Sequence, residues 1–414
     1  MKIEADVARI ERDLMALGKI GETADGGVTR RSFTETDRKG RDFIVGLMKD
    51  AGLDTWVDIG GNIHGTRRGK RPELPPVLTG SHSDSVENGG RFDGAAGIIA
   101  AIEALRALAD AGIETEHSLE AVSFLAEEPS HFDTTCLGSR IVAGEFTDST
   151  LLERTDGQGR TLQQAFEEIG IDTSKFHIPI YDPQKIKALI ELHVEQGSVL
   201  YEKKIPIGII TDIVASTRYR VTFLGQADHA GATPMKGRRD ALTAASEAIL
   251  AVERIANEYS DRDVVATVGV IECQPGMVNA IPGHVQILVE VRGRAHFSKE
   301  IPAAEIVEAI RTICQNRSVD VEIEQIVQDT SREVSPEIIE ILRQCAEKRN
   351  YPYLVMPSRA GHDALHMQNI APAGMIFLPS KDGIGHDPRE WTDMEDLRKG
   401  VNVLAEALLH LAVK

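Results

Sequence analysis

The sequence predicts an α/β protein in which a discontinuous, mixed-sheet domain is interrupted by a ferredoxin-like α+β unit. Three observations carry this expectation. Strand and helix periods alternate through the first half of the chain, the pattern changes near Thr217, and the original pattern returns after Val327. At 414 residues the chain exceeds one typical domain. The expected division is 1–214 with 328–414 for the first domain and 215–327 for the second.

The N-terminal segment Met1 to Leu17 reads as an amphipathic helix, followed by a Gly/Thr-rich loop over Gly21 to Thr36 and a helix near Asp37 to Ala51 that Gly52 closes. Val77 to Thr79 is a short apolar strand. Ala95 to Ala111 places Ile98, Ile99, Ile102, Leu105 and Leu108 at helical spacing and ends before Gly112, as a helix packed on a sheet should. Ser118 to Ala126 and Lys187 to Leu192 read as further strands.

From Arg218 the grammar is different. Arg218 to Leu224 alternates Tyr219, Val221 and Phe223, Asp240 to Glu258 is a helix, Val264 to Ile271 and Val285 to Val291 are strands, Lys299 to Asn316 is a helix, and Val319 to Ile326 is a strand. The order β-α-β-β-α-β is that of a split βαβ unit, a four-stranded sheet with two helices on one face. Beyond it come a helix from Pro336 to Arg349, a strand at Tyr353 to Val355, a helix after Gly361, a strand at Met375 to Leu378 and a final helix from Met394 to Leu411.

The charge balance of 46 basic against 64 acidic residues, net −18, argues against nucleic acid or an anionic membrane as partner. Cys136, Cys273, Cys314 and Cys345 are scattered, without the spacing of a disulfide framework or a thiolate zinc site, and are expected to be free thiols. No run approaches eighteen apolar residues and the N-terminal segment lacks the apolar core of a signal peptide, so a cytoplasmic location is expected. The Asn316 triplet is then a chance match to a glycosylation site.

The chemistry concentrates in Gly80 to Gly97, GSHSDSVENGGRFDGAAG, which packs His82, Asp84 and Asp93 into one glycine-rich turn. Further candidates follow other strands. Glu127 and Glu128 close the run AVSFLA, His193 follows a strand, and His386 lies in the loop after Met375 to Leu378. In open α/β sheets the loops at the carboxyl ends of strands converge into sites. His82, Asp93, Glu128, His193 and His386 supply three imidazoles and two carboxylates, enough for two divalent ions, and Asp93 can bridge through its two oxygens. Asp84 is placed to accept the other ring N–H of His82. The Glu127/Glu128 pair is best divided, one carboxylate binding metal and the other free as a general base. Such a donor set accepts Zn, Mn, Co or Ni alike.

Seven blocks in order, GSHSDSVENGGRFDG, AEEPSHF, ELHVEQG, GQADHAGATPM, MVNAIPGHVQILVEVR, AGHDA and MIFLPSKDGIGHDPREWT, resemble the metal-dependent M20 peptidase and amidohydrolase superfamily. Within it they resemble the hydantoinase/carbamoylase branch of N-carbamoyl-L-amino-acid hydrolases, β-ureidopropionases and allantoate amidohydrolases. The resemblance spans essentially the whole chain. It implies that His82 and His193 bind different metal ions, Asp93 bridges them, Glu128 and His386 complete the pair, and Glu127 is the general base. It further implies that the inserted domain is a lid and dimerisation domain, that His229 reaches the site of a partner subunit to stabilise the oxyanion, and that Gln196, Asn279, Arg292 and His362 hold the substrate. Arg292 offers a planar fork suited to a carboxylate.

The activity so implied is hydrolysis of the ureido group of an N-carbamoyl-L-amino acid to the amino acid, ammonia and carbon dioxide. Allantoate or another ureide is the alternative substrate, with a deacylase or peptidase of the same superfamily beyond it. A non-catalytic metal or amino-acid-derivative binder is opposed by the complete donor set and the free Glu127, and a serine hydrolase by the absence of a G-x-S-x-G elbow. Pro129, His131, Arg359 and Gly385 depart from the family pattern beside the expected pocket, without removing a ligand.

Overall fold

The computed structural model of the protein describes residues 3–176, 185–294 and 299–413. Its contacts divide the chain into two compact units, one of Met1–Thr211, Val334–Met356 and His362–Lys414 and the other of Asp212–Glu333 with Pro357–Gly361. The expected boundaries at 214/215 and 327/328 move by a few residues. The return of Pro357–Gly361 to the second unit was not foreseen; there Arg359 lies 3.4 Å from Asp263.

The first unit is built on a mixed sheet. Across it lie Asp54–Val57, Ile63–Arg67, Leu119–Phe124, Val77–His82, Ala188–Val194, Ala373–Leu378 and Ile207–Ile213, with Tyr353–Ser358 also against the last. Leu119–Phe124, Val77–His82, Ala188–Val194 and Ala373–Leu378 run parallel, so their carboxyl ends share one edge. These four are buried along their whole length, as a parallel sheet covered on both faces requires.

Helix Ala95–Asp110 is apolar nearly all round because it is enclosed. It packs on Val77–His82 and Ala188–Val194, with Met394–Ala412 beside it on the sheet and Val7–Gly18 against both helices. Asp6 caps Val7–Gly18 by accepting from Ala8 and Arg9, and Asp393 caps Met394–Ala412 by accepting from Glu395. The strands extend further toward the site than their apolar runs suggest. His82 ends its strand and His193 is the penultimate residue of its own, whereas both were expected in the loops beyond.

The second unit has the order β-α-β-β-α-β. Its antiparallel strands lie in the spatial sequence Asp320–Gln328, Ala215–Leu224, His284–Gly293, Val265–Gln274. Helices Ala241–Glu258 and Glu300–Arg317 cover one face, where Val221, Phe223, Val285, Ile287, Val252 and Ile310 form a core. The edge strand Val265–Gln274 is largely exposed, including Val265, Val270 and Ile271.

Candidate metal centre

At the carboxyl edge of the parallel strands, Asp93 lies between three imidazoles. Its Oδ1 is 3.2 Å from His193 Nε2 and 3.6 Å from His82 Nε2, and its Oδ2 is 3.0 Å from His386 Nε2. His386 Nε2 is also 3.4 Å from Glu128 Oε1. Two donor groups therefore overlap at Asp93, one of His82, Asp93 and His193 and one of Asp93, Glu128 and His386, each with donor atoms within 4.8 Å of one another. Donors about 2.1 Å from one tetrahedral ion stand about 3.4 Å apart, so these separations suit a divalent cation.

Main-chain carbonyls set the rings. His82 Nδ1 lies 3.1 Å from the Asp84 carbonyl oxygen and His193 Nδ1 lies 2.9 Å from that of Val194, so each Nδ1–H donates and each Nε2 is left to face the cluster. Asp84 thus accepts the ring N–H as expected, through its main-chain carbonyl; the nearer oxygen of its carboxylate is 3.5 Å from the ring. That carboxylate instead accepts the N–H groups of Glu127 and Glu128, at 3.3 and 3.1 Å, and the Ser32 hydroxyl at 2.8 Å. It orients the Glu pair.

Local backbone serves the same end. Gly94, at φ +59°, precedes helix Ala95–Asp110 with its Cα against the His82 ring, and a Cβ there would collide with the imidazole. Ala126, Gln196 and His386 hold φ of 54°, 54° and 55° at the turns that present Glu127, the Asp93 contact and the last imidazole. Strained non-glycine positions of this kind cluster at functional sites.

Charge is crowded here. Burial opposes ionisation of Glu128, and Asp93 and Glu127 repel it further, so its pKa is raised well above the carboxylate range. Its Oε1 is buried and, among the described residues, makes no hydrogen bond, although His386 Nε2 is 3.4 Å away. Burial also opposes charge on His82, yet Glu127, Asp84 and Asp93 outweigh it and raise that imidazole's pKa well above its usual value. Asp93 is affected oppositely: burial would raise its pKa, but hydrogen bonding to His193, His386 and His82 holds it well below the usual range. Excess negative charge, an orphaned carboxylate oxygen and correctly turned imidazoles all fit a bound cation.

Glu127 belongs to neither donor group but lies against the first. Its Oε2 lies 3.6 Å from His82 Nε2. Of the expected substrate residues in this unit, His362 is buried with its ring 4.5 Å from that of His193. Gln196 lies at the same edge, against Asp93. Its amide donates to Asp93 Oδ2 at 2.6 Å, so it supports the carboxylate shared by the two donor groups. Gly385 leaves room for this, since a Cβ there would meet the Gln196 side chain at 3.0 Å.

The remaining expected residues belong to the second unit. His229 and Asn279 are exposed and adjacent: His229 pairs with Ala280, and the Ala230 N–H donates to the Asn279 carbonyl at 2.9 Å. The N–H groups of Gly231 and Ala232 donate to His229 Nδ1, which puts the ring proton on Nε2. Arg292 is half-buried and donates through Nε to Glu290 at 2.8 Å.

Two residues were missed. Glu390 Oε2 accepts the N–H groups of Phe92 and Asp93 at 2.8 and 3.0 Å, its Oε1 has no hydrogen-bond partner among the described residues, and burial with the nearby Asp93 pushes its pKa up to about 7. Cys136 contacts Glu127 through its thiol. Glu390 lies only four residues beyond His386, and that proximity was the one available signal.

Imidazoles and carboxylates gathered at a sheet edge, with one carboxylate left free beside them, are the equipment of a metal-dependent hydrolase. The family model "Peptidase family M20/M25/M40" matches residues 78–410, and the chain belongs to that family. It is 37% identical to the N-carbamoyl-L-amino acid amidohydrolase of Geobacillus stearothermophilus, over 98% of each chain. It is 34% identical to the allantoate amidohydrolase of Bacillus subtilis (strain 168), over 96% of this chain and 95% of that one. A solved amidase of the hydantoinase/carbamoylase family from Burkholderia vietnamiensis superposes with a TM-score of 0.93 at 36% identity, covering 100% of this chain and 98% of that one. The protein is a metal-dependent amidohydrolase. Among the described residues no helix is long and apolar enough to cross a membrane.

Proposed function

We propose that the protein hydrolyses the ureido group of an N-carbamoyl-L-amino acid, using two divalent ions held by His82, Asp93, Glu128, His193 and His386. The observation that carries this reading is the position of Glu127, beside the donor cluster but outside both donor groups. Bound divalent ions would polarise the ureido carbonyl and acidify water at the site. Glu127 Oε2 takes the proton as water attacks and passes it to the departing nitrogen. His229 Nε2–H donates to the carbonyl oxygen as charge develops there. Arg292 has its Nη groups available for the substrate carboxylate, Asn279 adds a hydrogen bond, and His362 and Gln196 border the reacting end. Collapse expels ammonia and leaves a carbamate, which loses carbon dioxide to give the amino acid.

His229 is exposed in its own unit, which suits a residue that acts in a partner's site. Exposed Val265, Val270, Ile271, Met277 and Val278 suit burial against a second copy. The second unit is accordingly read as a lid and dimerisation domain, in a cytoplasmic homodimer. Allantoate is the second reading, favoured by the Bacillus subtilis relative.

The test is release of ammonia and amine from metal-loaded protein given N-carbamoyl, N-formyl and N-acetyl amino acids and allantoate. Ammonia and amino acid in equal amounts from an N-carbamoyl substrate are expected. Amine without ammonia would identify a deacylase, and turnover of allantoate alone would select the second reading.

A further inference from the structure

Glu127 is held at four points. Its N–H donates to the Asp84 carboxylate, its carbonyl oxygen accepts the Cys136 N–H at 3.0 Å, Oε2 faces His82, and Oε1 lies 3.5 Å from the Cys136 sulfur, nearer than the 3.8 Å from that sulfur to the Glu127 carbonyl oxygen. Of these contacts only that of the thiol addresses Oε1. The two segments involved run against each other, with Leu137 N–H donating to Ala126 and Gly138 N–H to Leu125. Cys136 is fixed in turn by its own left-handed φ of 53° and by the Ser139 hydroxyl, which lies 3.1 Å from its carbonyl oxygen. Ser139 is also 2.6 Å from Asp363 Oδ1. Cys136 is 4% exposed, so its thiol is shielded from water, and the Glu127 side chain is 13% exposed.

We propose that Cys136 is a positioning residue for the general base, its S–H occupying Glu127 Oε1 so that Oε2 is the oxygen that accepts the proton. This rests on the reading of Glu127 as base. A neutral, weak donor suits that role, because it fixes rotation of the carboxylate without placing a compensating charge on the group that must take a proton. Free rotation would let either oxygen, or neither, face the attacking water. A small loss of orientation at a reacting group costs rate far more than binding.

The test is steady-state kinetics of Cys136→Ala, Cys136→Gly and Cys136→Ser on an N-carbamoyl-L-amino acid, with metal content and melting temperature measured for each. Alanine and glycine keep the N–H bond to Glu127 and lack the side-chain donor, and glycine adopts a positive φ freely. Both are expected to lower kcat about tenfold, with KM and metal content unchanged. Serine is expected to recover part of the loss, because a hydroxyl still donates but reaches less far than a thiol. Glu127→Gln serves as control.

Wild-type kcat in the alanine and glycine variants, with Glu127→Gln inactive, would overturn the role of Cys136 while leaving the base intact. Loss of metal or of melting temperature in step with kcat would make Cys136 merely structural. Full activity in Glu127→Gln would overturn the base and this inference together.

Discussion

His82, Asp93, Glu128 and His193 are 1%, 6%, 4% and 2% exposed in the larger unit, whereas His229 and Asn279 stand exposed in the inserted one. Each buried group is held by a named neighbour: His82 by the Asp84 carbonyl, His193 by that of Val194, Asp93 by Gln196, and the Glu pair by Asp84. The exposed pair has local backbone contacts and little else. On the proposed function, the difference separates a metal centre built within one unit from substrate-facing groups that act against another surface. On that reading the buried donors are pre-organised for metal, with His386 exposed at 51%, while the residues that would meet the substrate last are left accessible.

The largest expected effect strikes the complete part. Asp93→Asn removes the carboxylate shared by both donor groups, and activity should fall at least about a thousandfold together with metal content. Elemental analysis beside kinetics checks it, and retained metal would show that Asp93 is not the bridge.

The next effect strikes the waiting part. His229→Ala should lower kcat on the order of a hundredfold while metal content stays unchanged. Subunit exchange between His229→Ala and Asp93→Asn proteins should then restore part of the activity, because one site in each mixed dimer is intact. No restoration would place His229 in its own subunit's site.

The smallest effect sharpens what burial means. His64 is also buried among carboxylates, with Nε2 3.0 Å from Asp58 and Nδ1 3.2 Å from Glu120, and Trp56 stacks on it at 4.0 Å. Burial opposes its charge, but the bonds to Asp58 and Glu120 win and raise its pKa to about 9. Because the folded value lies above the unfolded one, the stability this contributes is complete below about pH 6.5 and is lost as pH rises through about 9. Denaturant unfolding should show a loss on the order of 3 kcal/mol across that window, reduced in His64→Gln, with metal content of the variant unchanged. Loss of metal in that variant would mean that the two buried histidine clusters are coupled.

Much of this was legible in the sequence because the ligands sit where strands end, and apolar strand runs are easily read. Val77 to Thr79 and Met375 to Leu378 pointed to the correct edge. Strands Ile63–Arg67 and Ile207–Ile213 escaped notice, the first because IHGTR carries glycine and charge on a strand that lies toward the sheet's rim. The support around the ligands was less legible. Glu390 reaches Phe92 across 298 residues and Asp84 reaches Glu128 across 44, and no local pattern encodes such contacts. Asp84 is legible from its spacing to His82, but spacing cannot tell its carbonyl, which accepts the ring N–H, from its carboxylate, which holds the Glu pair.

The most direct test of a self-contained metal centre with a free base beside it is metal titration of wild-type and Glu127→Gln protein stripped of metal, followed by turnover of an N-carbamoyl-L-amino acid. The expected result is two ions per chain in both proteins, with turnover lost only in the variant. Fewer than two ions in the wild type, loss of metal in the variant, or turnover by the variant would contradict it.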